Sequence, residues 1–412
     1  MRRGTVIVGA GQAGDATAFR LRALGYEAPI TIVGDEHVAP YQRPPLSKKQ
    51  LLSDAAPPFL KAAGAYADNR IALQTGVRAS AIDRNAQTLR LADGSSLAYD
   101  ALVLAAGSRP RLLPESAGGK LGGVRVLRTL HDAECLARDL KRANRLLVIG
   151  GGYIGLEVAA TARAAGLEVV VIEQSTRIMQ RVAGEEISSH FRELHRRHGV
   201  AILEGRRLEA LIDANGYVTG ARLDDGSIVD ADLVLAGIGS IPNAELAEQA
   251  GLPVADGVLV DAFGRTSDAA VYAAGDCASI PWRDGRLRLE SVQNAEGMAK
   301  AVAGAIAGQP AAYAPVPWFW SDQYDVKLQI AGISRGYDTV VMRRGVREGS
   351  CSAWYFKGGE FLAVDAVNDA AAFLAGRKML ENRLHPLRDE IADTNLALKD
   401  IPERARKETS HV

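Results

Sequence analysis

The 412-residue sequence predicts an α/β protein in which one parallel-sheet unit occurs twice, followed by a smaller α+β domain. Three observations lead there. A strand–turn–helix pattern rich in glycine occupies residues 6–14, "VIVGAGQAG". It returns at residues 147–157, "LVIGGGYIGLE". Downstream of each copy, "LADGSSLAYDALVLAAG" (91–107) aligns without a gap to "LDDGSIVDADLVLAGIG" (223–239).

Each element follows from local pattern. "TVIVGAG" (5–11) reads as a strand and tight turn, residues 12–24 as a helix ending at Gly25, and "ITIVG" (30–34) as the next strand. The second copy repeats this with "LLVIGGG" (146–152), a helix over 153–166 and "EVVVIE" (168–173). Gly150, Gly152 and Gly155 thereby match Gly9, Gly11 and Gly14. A βαβ unit is the context in which a G-x-G-x-x-G spacing signifies a Rossmann-like dinucleotide site. The later pair of segments each carry an Asp-Gly turn, a short strand and a strand ending in small residues. "VYAAGDCA" (271–278) reads as one more strand, returning to the first sheet. Beyond residue 316 the composition turns aromatic, with short strand-like runs and a helical tail around "DAAAFLAGRKMLEN". The expected division is a discontinuous first domain over 1–113 and 243–315, a second over 114–242, and a C-terminal α+β domain over 316–412.

Composition narrows the function. Lys plus Arg and Asp plus Glu are 49 each, so net charge is zero, which argues against a general nucleic-acid binder. No run reaches the roughly 18 consecutive apolar residues of a membrane helix, so no membrane is expected. The three cysteines, Cys135, Cys277 and Cys351, form no CxxC or CxxxxC pair. A cytoplasmic location without a disulfide framework, and no metal site, is the expectation.

The glycines have separate tasks: the first makes the turn, the second admits a diphosphate to the backbone, and the third lets helix and strand pack closely. The free N–H groups at the helix start then face the phosphates. An acid at the end of the second strand reads the ribose. In the second unit this is Glu173, which favours NADH over NADPH, although Arg177 nearby softens that preference. The first unit has Gly34 at the corresponding place. Asp35, just after it, is the expected ribose contact, with a solvated turn acid as the alternative. One dinucleotide per unit suggests FAD on the discontinuous first domain and NAD on the second. Asp276 can hydrogen-bond ribityl hydroxyls from the end of the returning strand.

Further segments complete the pattern: "YQRPPLSK", "LVLAAGSRPR", "ESVQNA" and "PWFWSDQYDVKLQIAG". With the glycine motifs, they make the whole chain resemble the FAD-dependent pyridine nucleotide-disulfide oxidoreductases, whose fold is glutathione-reductase-like. The branch it resembles is the ferredoxin (and rubredoxin) reductases that serve cytochrome P450 and aromatic dioxygenase systems. The resemblance implies that Arg43 and Lys48 lie along the flavin, with Lys48 near the reactive end of the ring. On residue type alone Lys48 reads as a solvated helix-start lysine, and only the resemblance gives it the flavin role. Arg109, Asp276 and Val292 are implied on the FAD side, and Trp320 beside the isoalloxazine, with Trp318 the alternative. Tyr153, Ile154, Gly239 and Glu290 are implied on the NAD side. Glu157 is implied near the nicotinamide, paired with Lys48. The helix dipole alone also favours an acid there. Asp15 departs from the family's usual small residue and reads as a helix-start acid.

The resemblance implies hydride transfer from NADH to FAD, then single-electron transfer to a [2Fe-2S] ferredoxin and so to a P450 or dioxygenase. The chain has no cysteines spaced for its own cluster. Basic stretches at 282–288, 342–347 and Lys357 are candidates for steering an acidic carrier, or ordinary solvated loops. Rival readings are a rubredoxin reductase, NADH oxidase or quinone reductase of this fold, or a non-catalytic flavoprotein resembling apoptosis-inducing factor.

Overall fold

A computed structural model describes residues 3–53, 56–283 and 285–409. The chain divides into two compact units. The first comprises Met1–Gln42, Ala56–Arg109 and Ser240–Pro315, and the second Arg43–Ala55, Pro110–Gly239 and Val316–Val412.

The first unit is built on a parallel sheet. Thr5–Val8 lies at its centre, between Ile30–Val33 and Ala101–Leu104. Ile71–Gln74 takes one edge, and the returning strand Val271–Ala273 takes the other, beside Ala101–Leu104. Strands buried on both faces explain the unbroken apolar runs. Ile7, Ile32 and Val103 are fully buried. The helix Gln12–Ala23 packs beside Val292–Ile306, and Gln12 Nε2 donates to Glu296 Oε1 at 2.9 Å.

Asp15 lies in the first turn of helix Gln12–Ala23, as expected, but is more than a helix-start acid. It is buried, accepts a 2.7 Å bond from the Tyr66 hydroxyl and pairs with Lys61 at 3.3 Å. A buried carboxylate needs such partners.

The second unit holds a parallel sheet in which four strands repeat this order, while the fifth precedes them in the chain. Arg145–Ile149 is central, flanked by Glu168–Glu173 and Leu233–Ala236, with Val200–Glu204 and Val124–Arg125 at the edges. The duplication is regular. Helix Tyr153–Ala164 lies 141 positions after Gln12–Ala23. Strands Ile228–Asp230, Leu233–Ala236 and Ser240–Pro242 lie 132 positions after Ser96–Ala98, Ala101–Leu104 and Ser108–Pro110. Even the turns match: Asp93 accepts from the Ser95 amide at 2.9 Å and Asp225 from the Ser227 amide at 3.0 Å.

The second unit also contains the C-terminal antiparallel sheet, ordered Trp318–Gln323, Val326–Gly332, Glu360–Val367, Cys351–Lys357, Thr339–Arg344. Trp354, Phe356, Phe361 and Val364 form its core with Phe373 and Met379 of helix Ala370–Glu381. Among the described residues no helix is long and apolar enough to cross a membrane.

Candidate functional site

In the first unit, the chain leaves strand Thr5–Val8 through Gly9, whose φ of 116° favours glycine. A Cβ there would also meet the Ala105 carbonyl oxygen at 2.1 Å. Gly11 faces open space: a Cβ there would meet nothing within 4 Å. A Cβ on Gly14 would lie 2.0 Å from the Gly9 oxygen. The helix start has no side-chain cap. Its first N–H groups therefore suit an anion, and the open face at Gly11 admits one.

The second unit repeats each feature. Gly150 has φ 106°, Gly152 faces open space, and a Cβ on Gly155 would lie 2.3 Å from the Gly150 oxygen. Tyr153 and the exposed Ile154 begin the helix, which again has no side-chain cap. Both cradles fit the diphosphate of a dinucleotide.

The positions after the second strand of each unit differ for a steric reason. Val8 pairs with Val33, and Ile149 with Ile172, so Gly34 corresponds to Glu173. A Cβ on Gly34 would lie 2.5 Å from the Ala10 Cβ. Gly151 replaces that alanine in the second unit and leaves room for Glu173. The Glu173 carboxylate is fixed by the amides of Gly151 at 2.8 Å and Ser175 at 2.7 Å. Arg177 turns away, donating to the Gly184 carbonyl at 3.2 Å and pairing with Glu185 at 3.2 Å. Asp35 is exposed and pairs with Arg78 at 3.3 Å. Its neighbour Glu36 accepts from the Tyr41 hydroxyl at 2.6 Å.

Other expected residues divide between the units. Asp276 follows the returning strand, and Ser108 Oγ donates to it at 3.3 Å. Val292 opens the helix capped by Ser291. Arg109 pairs with Glu245 at 2.5 Å and donates to Asn243 at 2.8 Å. Glu290 lies in the first unit, where it pairs with Arg288 and accepts from Ser240. Gly239, the end of the second unit's 110–239 segment, accepts from the Arg111 amide at 2.9 Å.

The second unit brings Arg43, Lys48, Glu157 and Trp320 into one body. Arg43 donates to the Arg128 carbonyl at 2.7 Å. Lys48 Nζ is 3.0 Å from Glu157 Oε1, and Glu157 is only 4% exposed. Two further donors hold that carboxylate: Ser47 Oγ at 2.5 Å on Oε2 and Ser321 Oγ at 2.6 Å on Oε1. Neither serine stood out in the sequence, although each adjoins a residue that did. Strand alternation places Ser321 on the face of Trp318–Gln323 opposite Trp320. Phe319, on the Ser321 face, stacks on Tyr153 at 4.6 Å. Trp318, on the Trp320 face, meets Phe373 of the C-terminal core at 5.8 Å.

The profile of the pyridine nucleotide-disulphide oxidoreductases matches residues 3–299, and that of a reductase C-terminal domain matches 318–402. This chain belongs to the pyridine nucleotide-disulphide oxidoreductase family. It is 42% identical to putidaredoxin reductase CamA of Pseudomonas putida over 98% of each chain. Identity with rhodocoxin reductase of Rhodococcus erythropolis is 44%, over 96% of this chain and 93% of that one. The ferredoxin reductase for the CYP199A2 system of Rhodopseudomonas palustris superposes with a TM-score of 0.93 at 42% identity, covering 96% and 99% of the two chains. The covalent putidaredoxin reductase–putidaredoxin complex matches with a TM-score of 0.94 at 42% identity, covering 98% and 99%.

As a member of the pyridine nucleotide-disulphide oxidoreductases, the chain lacks the cysteine pair of the family name. Cys277 is fully buried, its Sγ donates to the Leu104 carbonyl at 3.4 Å, and burial pushes its thiol up to about 11. Such a thiol is inert at neutral pH. Several arginines of the basic stretches are also occupied. Arg288 pairs with Asp256 at 2.9 Å, and buried Arg343 donates to the carbonyls of Ile391, Asp393 and Leu396. Asp284, within the 282–288 stretch, lies outside the described residues.

The Glu173 geometry makes a prediction. Glu173→Ala is expected to weaken NADH binding by about tenfold, the effect of one charge-assisted ribose contact, and to narrow the preference over NADPH. Titrating flavin reduction with each nucleotide measures both. Unchanged affinity and selectivity would assign the ribose contact elsewhere.

Proposed function

We propose that this protein is an NADH-dependent ferredoxin reductase. It binds FAD through the first glycine turn and NADH through the second, and serves a [2Fe-2S] ferredoxin that supplies a cytochrome P450 or dioxygenase. Bound FAD supplies the chemistry of accepting a hydride and releasing two electrons one at a time. The observation that carries the reading is the presence of two equivalent dinucleotide cradles in a chain with no cysteine pair. Without a dithiol, electrons leave for an external acceptor, and the named relatives act with such proteins.

The chain's own residues bind, orient and balance charge. Gly9, Gly11 and Gly14 with Asp276 and Val292 hold FAD, and Asp35 or Glu36 addresses its adenosine ribose. Gly150, Gly152 and Gly155 hold the NADH diphosphate, and Glu173 its ribose. Lys48 supplies positive charge for the reduced state, and Glu157 keeps Lys48 in place while facing the nicotinamide. Fixing donor and acceptor removes the entropic cost of bringing them together. A cytoplasmic setting, where NADH and ferredoxin meet, fits this activity.

Anaerobic NADH is expected to bleach the flavin bands, and an added [2Fe-2S] ferredoxin to restore them. No bleaching would overturn the reading. Re-oxidation by quinone or oxygen, but not by any ferredoxin, would replace the acceptor with one of those.

A further inference from the structure

The Ser321 hydroxyl has one proton, and it goes to Glu157 Oε1 at 2.6 Å, because a carboxylate only accepts. Ser321 is in turn the acceptor of Gln323 Nε2 at 3.2 Å. The Gln323 carbonyl then faces His195 Nε2 at 2.8 Å, so that ring nitrogen carries the proton. His195 Nδ1 is left with a lone pair toward the Tyr324 hydroxyl at 3.4 Å. All four links run one way, from Tyr324 through His195, Gln323 and Ser321 to Glu157. His195, Gln323 and Ser321 are each 0% exposed, so water does not compete along the chain.

One feature supports this direction and a second fixes its first member. Burial lowers the His195 ring to about 4, against a smaller raising effect of Gln323, so it stays neutral and Nδ1 remains an acceptor. Tyr324 occupies the two-residue turn between Gln323 and Val326 with φ 57°, a place where Asn or Gly is favoured. A tyrosine is held in that conformation at a cost that Asn or Gly would not bear. Its ring stacks on His198 at 3.7 Å, and His198 is fixed by a 2.9 Å bond to the Leu194 carbonyl.

We propose that Tyr324, His195 and Gln323 are positioning residues that act through Ser321 to hold the Glu157 carboxylate for hydride transfer. The inference rests on the reading that Glu157 faces the nicotinamide. Donors aligned in series polarise one another and hold the last acceptor more firmly than the final link alone. None of the three touches the nucleotide under this reading, so they govern the rate at saturation rather than binding.

Stopped-flow reduction of the FAD-loaded protein by NADH tests this. Gln323→Met removes both amide bonds at similar volume. It is expected to lower the limiting reduction rate about tenfold, the effect of losing the one bond that reaches Ser321, with NADH affinity within about twofold of the parent. Tyr324→Phe keeps the stacking and removes only the hydroxyl, so it tests the chain even if Gln323→Met folds poorly. Its expected effect is smaller and in the same direction. Ser321→Thr, which keeps the hydroxyl, is expected to retain the parent rate, whereas Ser321→Ala is not. In a Glu157→Gln background the Gln323 and Tyr324 changes are expected to have no further effect. Parent rates in both Gln323→Met and Tyr324→Phe, or equal slowing with and without Glu157, would overturn the proposal. If Glu157→Gln itself leaves the rate unchanged, the nicotinamide-side reading of Glu157 falls as well. If Glu157→Gln is slow while the chain variants are fast, only the donor chain falls.

Discussion

Gly155→Ala is expected to purify with FAD bound and to lose NADH-driven flavin reduction by about 100-fold at a fixed low NADH concentration. The added Cβ would lie 2.3 Å from the Gly150 carbonyl oxygen and 3.0 Å from a Val148 methyl. Neither neighbour yields cheaply. One is backbone at a turn held at φ 106°, and the other belongs to the central strand of the sheet. Helix and turn must separate, which moves the amides that cradle the diphosphate. Overpacking of this kind costs about 1–3 kcal/mol, and 2.7 kcal/mol is about 100-fold in binding. Gly14→Ala is the mirror experiment, since its Cβ would lie 2.0 Å from the Gly9 oxygen. It is expected to release FAD while leaving the second cradle intact. The ratio of flavin to protein absorbance and the reduction kinetics separate the two results. FAD loss from Gly155→Ala with NADH binding retained would exchange the two assignments.

That symmetry was legible because it depends on local features. The glycine spacing, the Asp-Gly turns and the small residues after each exit strand recur at constant intervals, and the elements recur with them. The return of Val271–Ala273 to the first sheet was legible for the same reason, as an apolar run ending in Gly275 and Asp276. Long-range pairing was not. Asp15 reads locally as a helix-start acid, because Tyr66 and Lys61 are far along the chain and nothing periodic links them to it. His195 lies on the helix Glu185–Arg197, where it reads as one of several basic side chains. Only the arrival of Gln323, whose carbonyl lies 2.8 Å from Nε2, shows it to be buried and bonded. One residue of the basic stretches differs in the opposite sense. Arg343 looks like a surface charge, yet it binds the carbonyls at the end of a short C-terminal helix.

The same long-range burial makes Asp365 a measurable liability, and Asp365→Asn is expected to become relatively more stabilising as pH rises. Asp365 lies on strand Glu360–Val367 and is 0% exposed. The Tyr355 hydroxyl donates to Oδ2 at 2.7 Å, while Oδ1 has no hydrogen-bond partner among the described residues. Burial, reinforced by the nearby Glu186, pushes the carboxyl up to about 7, although the Tyr355 hydroxyl and the Gly184 amide pull it back. The folded protein therefore holds this proton more tightly than the unfolded chain, whose ordinary value is 3.8. Its contribution to stability is fully present below that lower value and is lost as pH rises through about 7. At about 1.4 kcal/mol per pH unit, the loss approaches about 4 kcal/mol across the window. Asparagine keeps the shape and has no proton to lose, so the loss is absent from the variant. Melting of the FAD-bound parent and Asp365→Asn, compared at pH 5, 6, 7 and 8, is expected to show the difference moving by several degrees in favour of the variant. A difference that stays constant over that range would mean the folded carboxyl titrates in the ordinary acid range, with its charge accommodated by Tyr355 and Gly184.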